Sequence, residues 1–170
     1  MNIIRRRFLA GLGMVPVAMA APAAAATSTA ATTSTAAAGP QVAKLKRIRT
    51  GRHDKFDRIV LDFQGPVPQP IFRTWGPVLR HGGSGHLYWL YGCRFLTVRV
   101  ENATAHNAKG EPTYSGRRRR RTPKLKKVLA VGFIDDFEGG VSIGIGARRQ
   151  RKVRVFTLKS PTRVVIDILD

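Results

Sequence analysis

Residues 58–63 read Arg-Ile-Val-Leu-Asp-Phe, so that Ile59, Leu61 and Phe63 alternate with side chains that point the other way. Strict alternation of this kind is typical of a β-strand with one buried face. Residues 95–100 repeat the pattern. Further short runs, separated by Gly and Pro, predict strands at residues 45–49, 71–75, 87–90, 128–133, 141–145, 153–158 and 163–169. Eight or nine short strands indicate a mainly β domain of two packed antiparallel sheets.

The opening stretch has an echo near the other end of the chain. Residues 163–168 read Arg-Val-Val-Ile-Asp-Ile, which is again a basic residue, three hydrophobic residues, Asp and another hydrophobic residue. Two pseudo-symmetric halves would explain the echo, and chance similarity between apolar strands is the alternative. We therefore predict a sandwich-like fold with pseudo-symmetric halves and at most one short helix, near residues 77–80. Asp62 and Asp167 are predicted to end or cap their strands.

The N-terminus has the three parts of a secretory signal: a basic start, an apolar stretch and a small-residue end. Residues 5–9, Arg-Arg-Arg-Phe-Leu, fit the twin-arginine pattern. The apolar stretch contains Pro16 and is shorter than the roughly 20 residues that a membrane anchor needs. Cleavage is predicted after Ala26, with Ala20 as the alternative. Residues 1–26 are thus predicted to be a twin-arginine signal peptide, with no transmembrane segment after its removal.

The rest of the chain divides into a linker and one domain. Residues 27–41 are a low-complexity run rich in Ala, Thr and Ser, which is typical of a flexible linker. Residues 42–170 are then one domain of about 130 residues, enough for a single hydrophobic core. Cys93 is the one cysteine, so an intramolecular disulfide is impossible. Its neighbours Tyr91 and Phe95 predict a buried, inert thiol.

A longer segment around the opening stretch, residues 48–65, carries Arg, Gly, His and Phe-Asp-Arg before the alternating hydrophobic residues, Asp and Gly. This segment resembles the start of AMIN-like domains, and residues 137–146, 153–158 and 160–167 resemble the second half of the same family. These domains of secreted bacterial proteins are distantly related to the AMIN domain of N-acetylmuramoyl-L-alanine amidases, which has two symmetry-related β-sheets and binds peptidoglycan. The resemblance spans roughly residues 42–169 and implies a β-sandwich-like module that binds cell wall.

The chain is strongly basic, with a formal net charge of +20 at pH 7. Loss of the signal arginines leaves 27 Lys and Arg against 10 acids, a net charge of +17. Such a surface attracts polyanions over a Debye length of about 8 Å. The charge concentrates in two segments that we expect to be exposed loops framing one anionic site, although solvated loops are the alternative: Arg117, Arg118, Arg119, Arg120, Arg121, Lys124, Lys126 and Lys127, then Arg148, Arg149, Arg151 and Lys152.

Aromatic side chains beside the Gly-rich residues 82–85 add a second candidate surface. Flat aromatic faces stack on sugar rings, and an exposed face is needed for this. About half of the side chains in an alternating strand point into the core. Trp75 and Tyr88 are the candidates for stacking on a glycan.

No group of residues indicates catalysis. Residues 82–86, Gly-Gly-Ser-Gly-His, lack the spacing of a nucleophile elbow and its strand-to-helix turn. The four histidines lie in apparent loops without a metal-binding motif, and residues 135–138 lack the ligand spacing of a calcium loop. We therefore predict a protein that is not an enzyme, with no catalytic residues, no metal and no cofactor.

Export, charge and the family resemblance together predict a non-enzymatic, secreted or cell-wall-associated module. Its partner would be a cell-wall glycan or an anionic wall polymer, bound through the basic loops. The first alternative is an interaction module for another envelope protein. A further alternative is a nucleic-acid-binding protein, which would use the same charges through counterion release but is disfavoured by the export signal.

Overall fold

A computed structural model describes residues 41–170, so the predicted signal peptide and all but the last residue of the predicted linker lie outside the described residues. Within this range the chain forms two five-stranded sheets, with orders β5-β1-β2-β10-β9 and β3-β4-β8-β7-β6. The all-β, two-sheet prediction is confirmed, and no helix occurs in residues 41–170. The strands are β1 (Ala43–Arg52), β2 (Phe56–Gln64), β3 (Ile71–Gly76), β4 (Arg94–Glu101), β5 (Ala103–Thr104), β6 (Arg119–Arg121), β7 (Val128–Phe137), β8 (Gly140–Ala147), β9 (Val153–Leu158) and β10 (Arg163–Leu169).

The core lies between the inner faces of the two sheets. Ile59 and Leu61 of β2 belong to the same buried cluster as Val98 of β4 and Ile143 of β8. Each side chain of this size contributes about 1.5–3 kcal/mol when it is fully removed from water. The alternating hydrophobic residues of the sequence are therefore the residues that form this shared core. In the described residues, no helix is long and apolar enough to cross a membrane.

The two copies of the repeated motif are neighbouring strands. β2 and β10 run antiparallel, with Arg58 opposite Asp167 and Asp62 opposite Arg163. The basic residue of each copy thus lies opposite the acid of the other. The strand orders extend this relation, because β1-β2 and β9-β10 flank the centre of one sheet while β3-β4 and β8-β7 flank the centre of the other. Each half of the domain contributes one antiparallel pair of strands to each sheet.

Several local predictions are wrong. Residues 87–90 form no strand; only an isolated bridge joins Arg80 to Leu87. Residues 77–80 form no helix, which is consistent with the prediction of at most one short helix. Asp62 and Asp167 lie within β2 and β10 rather than at strand ends. Cys93 is exposed rather than buried, and it lies in the bend directly before β4.

Residues 77–93, which we call the covering segment, lie on the outer face of the second sheet. Leu79 and Tyr88 of this segment are buried there, apart from the central core. Glycines in the sheet make room for both side chains. A Cβ atom on Gly132 would lie 2.6 Å from the Tyr88 hydroxyl oxygen, and one on Gly144 would lie 2.6 Å from a Leu79 methyl carbon. The glycines of β7 and β8 therefore leave the space in which Leu79 and Tyr88 of the covering segment pack.

Candidate functional site

The run of five arginines contains a short edge strand, which corrects the prediction that it forms a loop throughout. β6 pairs with β7, and its side chains alternate between the two sides of the sheet. Arg119 and Arg121 lie over aromatic rings on the outer side, with guanidinium carbons 4.5 Å from the Tyr88 centroid and 3.7 Å from the Tyr91 centroid. An edge strand leaves both sides accessible, so these charges remain exposed although the backbone is paired.

An open groove separates β6, an edge strand of the second sheet, from the part of β1 that lies beyond its two-residue pairing with β5. Arg120 Nη2 donates a hydrogen bond across it to the Ile48 carbonyl oxygen at 3.4 Å. Two adjoining cavities of about 590 and 750 Å³, which share Thr50 and Arg120, form what we call the edge groove. Its lining contains no Asp or Glu from the part of the chain that the structure describes. Its cations are Lys46, Arg47, Arg49, Arg52, Arg117, Arg120, Arg121 and Lys124.

The cations of the groove differ in how far they are neutralised. Arg49 makes two hydrogen bonds of 2.7 Å to the Asp62 carboxylate, and this bonding raises the pKa of Arg49. For Lys46, Arg47 and Arg117, no carboxylate within residues 41–170 lies inside the 4.0 Å limit of an ion pair. An anion that enters the groove can therefore bind these three without displacing an internal partner.

The second basic segment lies at the end of the sandwich where β8 stops and β9 begins. β7 starts at this same end, since Val128 pairs with Ala147 of β8. The two predicted segments are thus brought to one end of the molecule, which we call the basic end. Its loops expose Lys124, Lys126, Arg148, Arg149 and Lys152.

Two of the predicted polyanion-binding residues lie beside the carboxylate of Asp170. The Lys127 side chain is 3% exposed, and its Nζ lies 3.0 Å from Asp170 Oδ1. Arg151, with a side chain 17% exposed, reaches the same carboxylate oxygen at 3.8 Å. The hydrogen bond from Lys127 lowers the pKa of Asp170. Lys127 is therefore unavailable to a polymer, which corrects its inclusion in the predicted site.

The predicted stacking residues are also withdrawn from solvent. Tyr88 is 4% exposed, burial raises its pKa, and its hydroxyl donates to the Arg118 carbonyl oxygen at 2.6 Å. Trp75 is partly buried and packs against the central core. Arg118 itself lies over Phe133, 5.1 Å from the ring centroid. Tyr88 therefore cannot present a face to a sugar, and Trp75 presents only part of one.

The exposed aromatic residues are their neighbours in the covering segment. Trp89 is 74% exposed and Tyr91 is 52% exposed. Together with Arg119 and Arg121 they line a cavity of about 360 Å³ on the outer face of the second sheet. We call this cavity the Trp89 cleft. The alternation of residues 87–91 indicates that Tyr88 and Trp89 point in opposite directions, but it does not tell which of them is buried.

The remaining polar cluster lies at the opposite end of the sandwich. Thr104 Oγ1 donates to Asp136 Oδ2 at 2.9 Å, and His106 Nδ1 approaches the same carboxylate oxygen. His106 Nδ1 also lies 2.8 Å from Thr104 Oγ1, so a single ring nitrogen faces both the hydroxyl and the carboxylate. In a nucleophile–base–acid arrangement the two ring nitrogens would bind these two partners separately. The cluster holds β5 against β7. Within residues 41–170, no three His, Cys, Asp or Glu side chains converge in a way that could hold a metal ion.

Comparison with protein families gives a match over the domain. A family model described as AMIN-like domain matches residues 43–170. Domains of this family are typically non-catalytic binding modules and are associated with periplasmic or envelope proteins. No curated protein and no solved structure matches the chain.

Proposed function

The chain belongs to the AMIN-like domain family, and from this premise we propose that it is a non-enzymatic, exported module that binds an anionic polymer of the cell wall. The observation that carries the proposal is the edge groove, in which cations from both sheets line one open channel. Secretion or wall association follows from the signal predicted in residues 1–26.

The groove suits a polymer better than a single small anion. An exposed ion pair contributes only about 0.2–1 kcal/mol, so useful affinity requires several pairs at once. A polymer with repeated phosphates or carboxylates supplies them along its length, and the planar fork of arginine can bind each group in two places. The exposed residues of the basic end extend the charged path beyond Lys124, and they are Lys126, Arg148, Arg149 and Lys152.

The test is co-sedimentation of the predicted mature chain, residues 27–170, with purified cell walls. Walls are compared before and after their anionic polymers have been stripped, at low salt. We expect the protein to pellet with intact walls and to stay in solution with stripped walls. Failure to pellet with intact walls at low salt would remove the proposal.

The second candidate is an interaction with another envelope protein, and the exposed Trp89 and Tyr91 favour it because aromatic residues are enriched at protein interfaces. This reading predicts that replacement of residues 117–121 by glutamine leaves wall binding unchanged but alters the proteins recovered in a pull-down. Nucleic-acid binding is the third reading. Fractionation that finds unprocessed protein in the cytoplasm would favour it.

A further inference from the structure

We propose that the Trp89 cleft is a saccharide subsite that takes a sugar ring carrying a carboxylate or a phosphate. The inference rests on the proposed function, because it assigns a second contact to the same polymer. The edge groove would bind the repeated charges, and the cleft would bind one sugar unit.

The ring contact comes from Trp89. Its side chain is 74% exposed, and within residues 41–170 no aromatic ring or guanidinium group stacks on it. Indole is a large, flat and mainly apolar surface, so covering it with the face of a sugar ring removes apolar area from water. Tyr91 is already covered on one side by Arg121, which leaves Trp89 as the free platform.

The charge comes from Arg119 and Arg121. Each guanidinium group lies over a tyrosine ring, and this stacking holds it in place while the N–H groups at its edge remain able to donate. No Asp or Glu of residues 41–170 lines the cleft. A neutral sugar would leave both cations without a partner, whereas an acidic sugar complements them.

The backbone that carries Trp89 is fixed on both sides. Before it, the Tyr88 hydroxyl donates to the Arg118 carbonyl oxygen at 2.6 Å. After it, the Cys93 N–H donates to the Ala147 carbonyl oxygen at 2.9 Å, and the Tyr91 carbonyl lies directly against Gly146. A site that is ordered before binding loses less conformational entropy when the ligand arrives.

The cleft and the groove adjoin each other. Arg120 and Arg121 line the Trp89 cleft and also line the edge groove. One polymer chain can therefore contact both, with charges along the groove and a sugar ring on Trp89. This arrangement distinguishes an acidic polysaccharide from a polyanion that has no rings.

The experiment compares four soluble probes on the mature chain: polygalacturonate, a polymer of sugar phosphates, inorganic polyphosphate and single-stranded DNA. The test variant is Trp89→Ala. The matched control is Phe72→Ala, because Phe72 is an exposed aromatic residue, 55% accessible, on the β3 edge away from the cleft. We expect Trp89→Ala to weaken binding of at least one sugar polymer by about tenfold, with polyphosphate changed by less than about twofold. Phe72→Ala should change neither.

The outcomes separate the two proposals. Loss with polygalacturonate alone assigns the cleft to a sugar carboxylate, and loss with the sugar-phosphate polymer alone assigns it to a sugar phosphate. If Trp89→Ala lost as much affinity for polyphosphate as for the sugar polymers, or lost no affinity for either sugar polymer, the inference would be overturned. The proposal that the edge groove binds polyanions would still stand. Tighter binding of DNA than of both sugar polymers, with the same loss in Trp89→Ala, would overturn it as well. Failure of the wild-type chain to bind any polyanion at low salt instead contradicts the proposed function.

Discussion

At the scale of single residues, Asp167 shows how the repeated motif stabilises the first sheet. Its carboxylate has no exposed area, and it binds Arg58 Nε at 2.7 Å and Arg154 Nη2 at 2.7 Å. Burial alone would raise the pKa of Asp167, but hydrogen bonds from the two arginines outweigh burial and lower it. The corresponding Asp62 is 23% exposed and binds Arg49. The two copies of the motif are therefore unequal in burial.

Replacing Asp167 by asparagine should lower the free energy of unfolding by about 2–3 kcal/mol, because charge-assisted hydrogen bonds are lost in a buried position. Asp62→Asn is the matched control and should cost about 1 kcal/mol or less, because its ion pair is exposed. Urea unfolding of the three proteins measures both differences. Equal losses in the two variants would show that burial of Asp167 does not matter.

Lowering the pH should remove the contribution of Asp167 to the free energy of unfolding. The folded-state pKa lies below the ordinary value of 3.8, so the stabilisation is fully present above the pKa of the unfolded chain. It is lost as the pH falls from that value through the folded-state pKa. The difference in unfolding free energy between wild type and Asp167→Asn should therefore shrink between about pH 5 and about pH 2. A constant difference across this range would contradict the assignment.

The sequence alone identifies the repeated motif but not the pairing of its members. Arg58 and Asp167 are far apart in the chain, and their contact depends on the register between β2 and β10. Register is a property of the folded sheet, set by the packing of both faces. For this reason the sequence alone predicts the acids at strand ends rather than in a cross-strand ion pair.

At the scale of strands and segments, the pattern of apolar residues locates most of the sheet. It predicts the bounds of β9 and β10 as they occur. It misses β6, because a run of five arginines predicts an exposed loop. An edge strand allows exposed charges on both sides, and such charges also discourage pairing with another chain. The pattern also predicts a strand at residues 87–90 of the covering segment, because burial against a sheet face gives alternation without strand pairing.

The close packing of the covering segment against glycines of the second sheet can be tested with Gly146→Ala. The added Cβ would collide with the Tyr91 carbonyl oxygen, which is backbone and cannot rotate away. We expect a loss of about 1–3 kcal/mol in unfolding free energy, as for other overpacked sites, together with a change in tryptophan fluorescence, to which Trp75 and Trp89 both contribute. Gly51→Ala is the control, because the nearest atom would be 3.8 Å from its Cβ. If the two variants had the same free energy of unfolding, close packing of the covering segment against Gly146 would not be supported.

At the scale of the whole molecule, strand direction determines where the charge lies. The turn after β1, the loop before β7 and the loop after β8 meet at the basic end, while Glu101, Asp136 and Glu138 lie at or near the opposite end of the same strands. The sequence predicts the two basic segments. It does not predict the edge groove, because Lys46, Arg47 and Arg52 of β1 are distant in the chain from the arginine run and join it only when the two sheets pack.

Salt provides a test of this charge distribution. The Debye length falls from about 10 Å at 0.1 M salt to about 3 Å at 1 M, so the attraction between exposed cations and an anionic polymer extends over a shorter distance. Wall binding by the mature chain should weaken steadily as sodium chloride is raised over this range. The free energy of unfolding should change much less, because the core is apolar. Binding that is insensitive to salt would point to a contact that is not electrostatic.

The most direct test of the central claim is wall binding by two variants with the same net charge. The groove variant carries Arg47→Gln, Arg117→Gln and Arg120→Gln, all in the edge groove. The control variant carries Arg73→Gln, Lys109→Gln and Lys159→Gln, which are exposed positions outside the groove. We predict that the groove variant binds purified walls at least about tenfold more weakly than the control, which should stay close to wild type. Equal binding by the two variants would contradict the account, because total charge rather than the edge groove would then determine affinity.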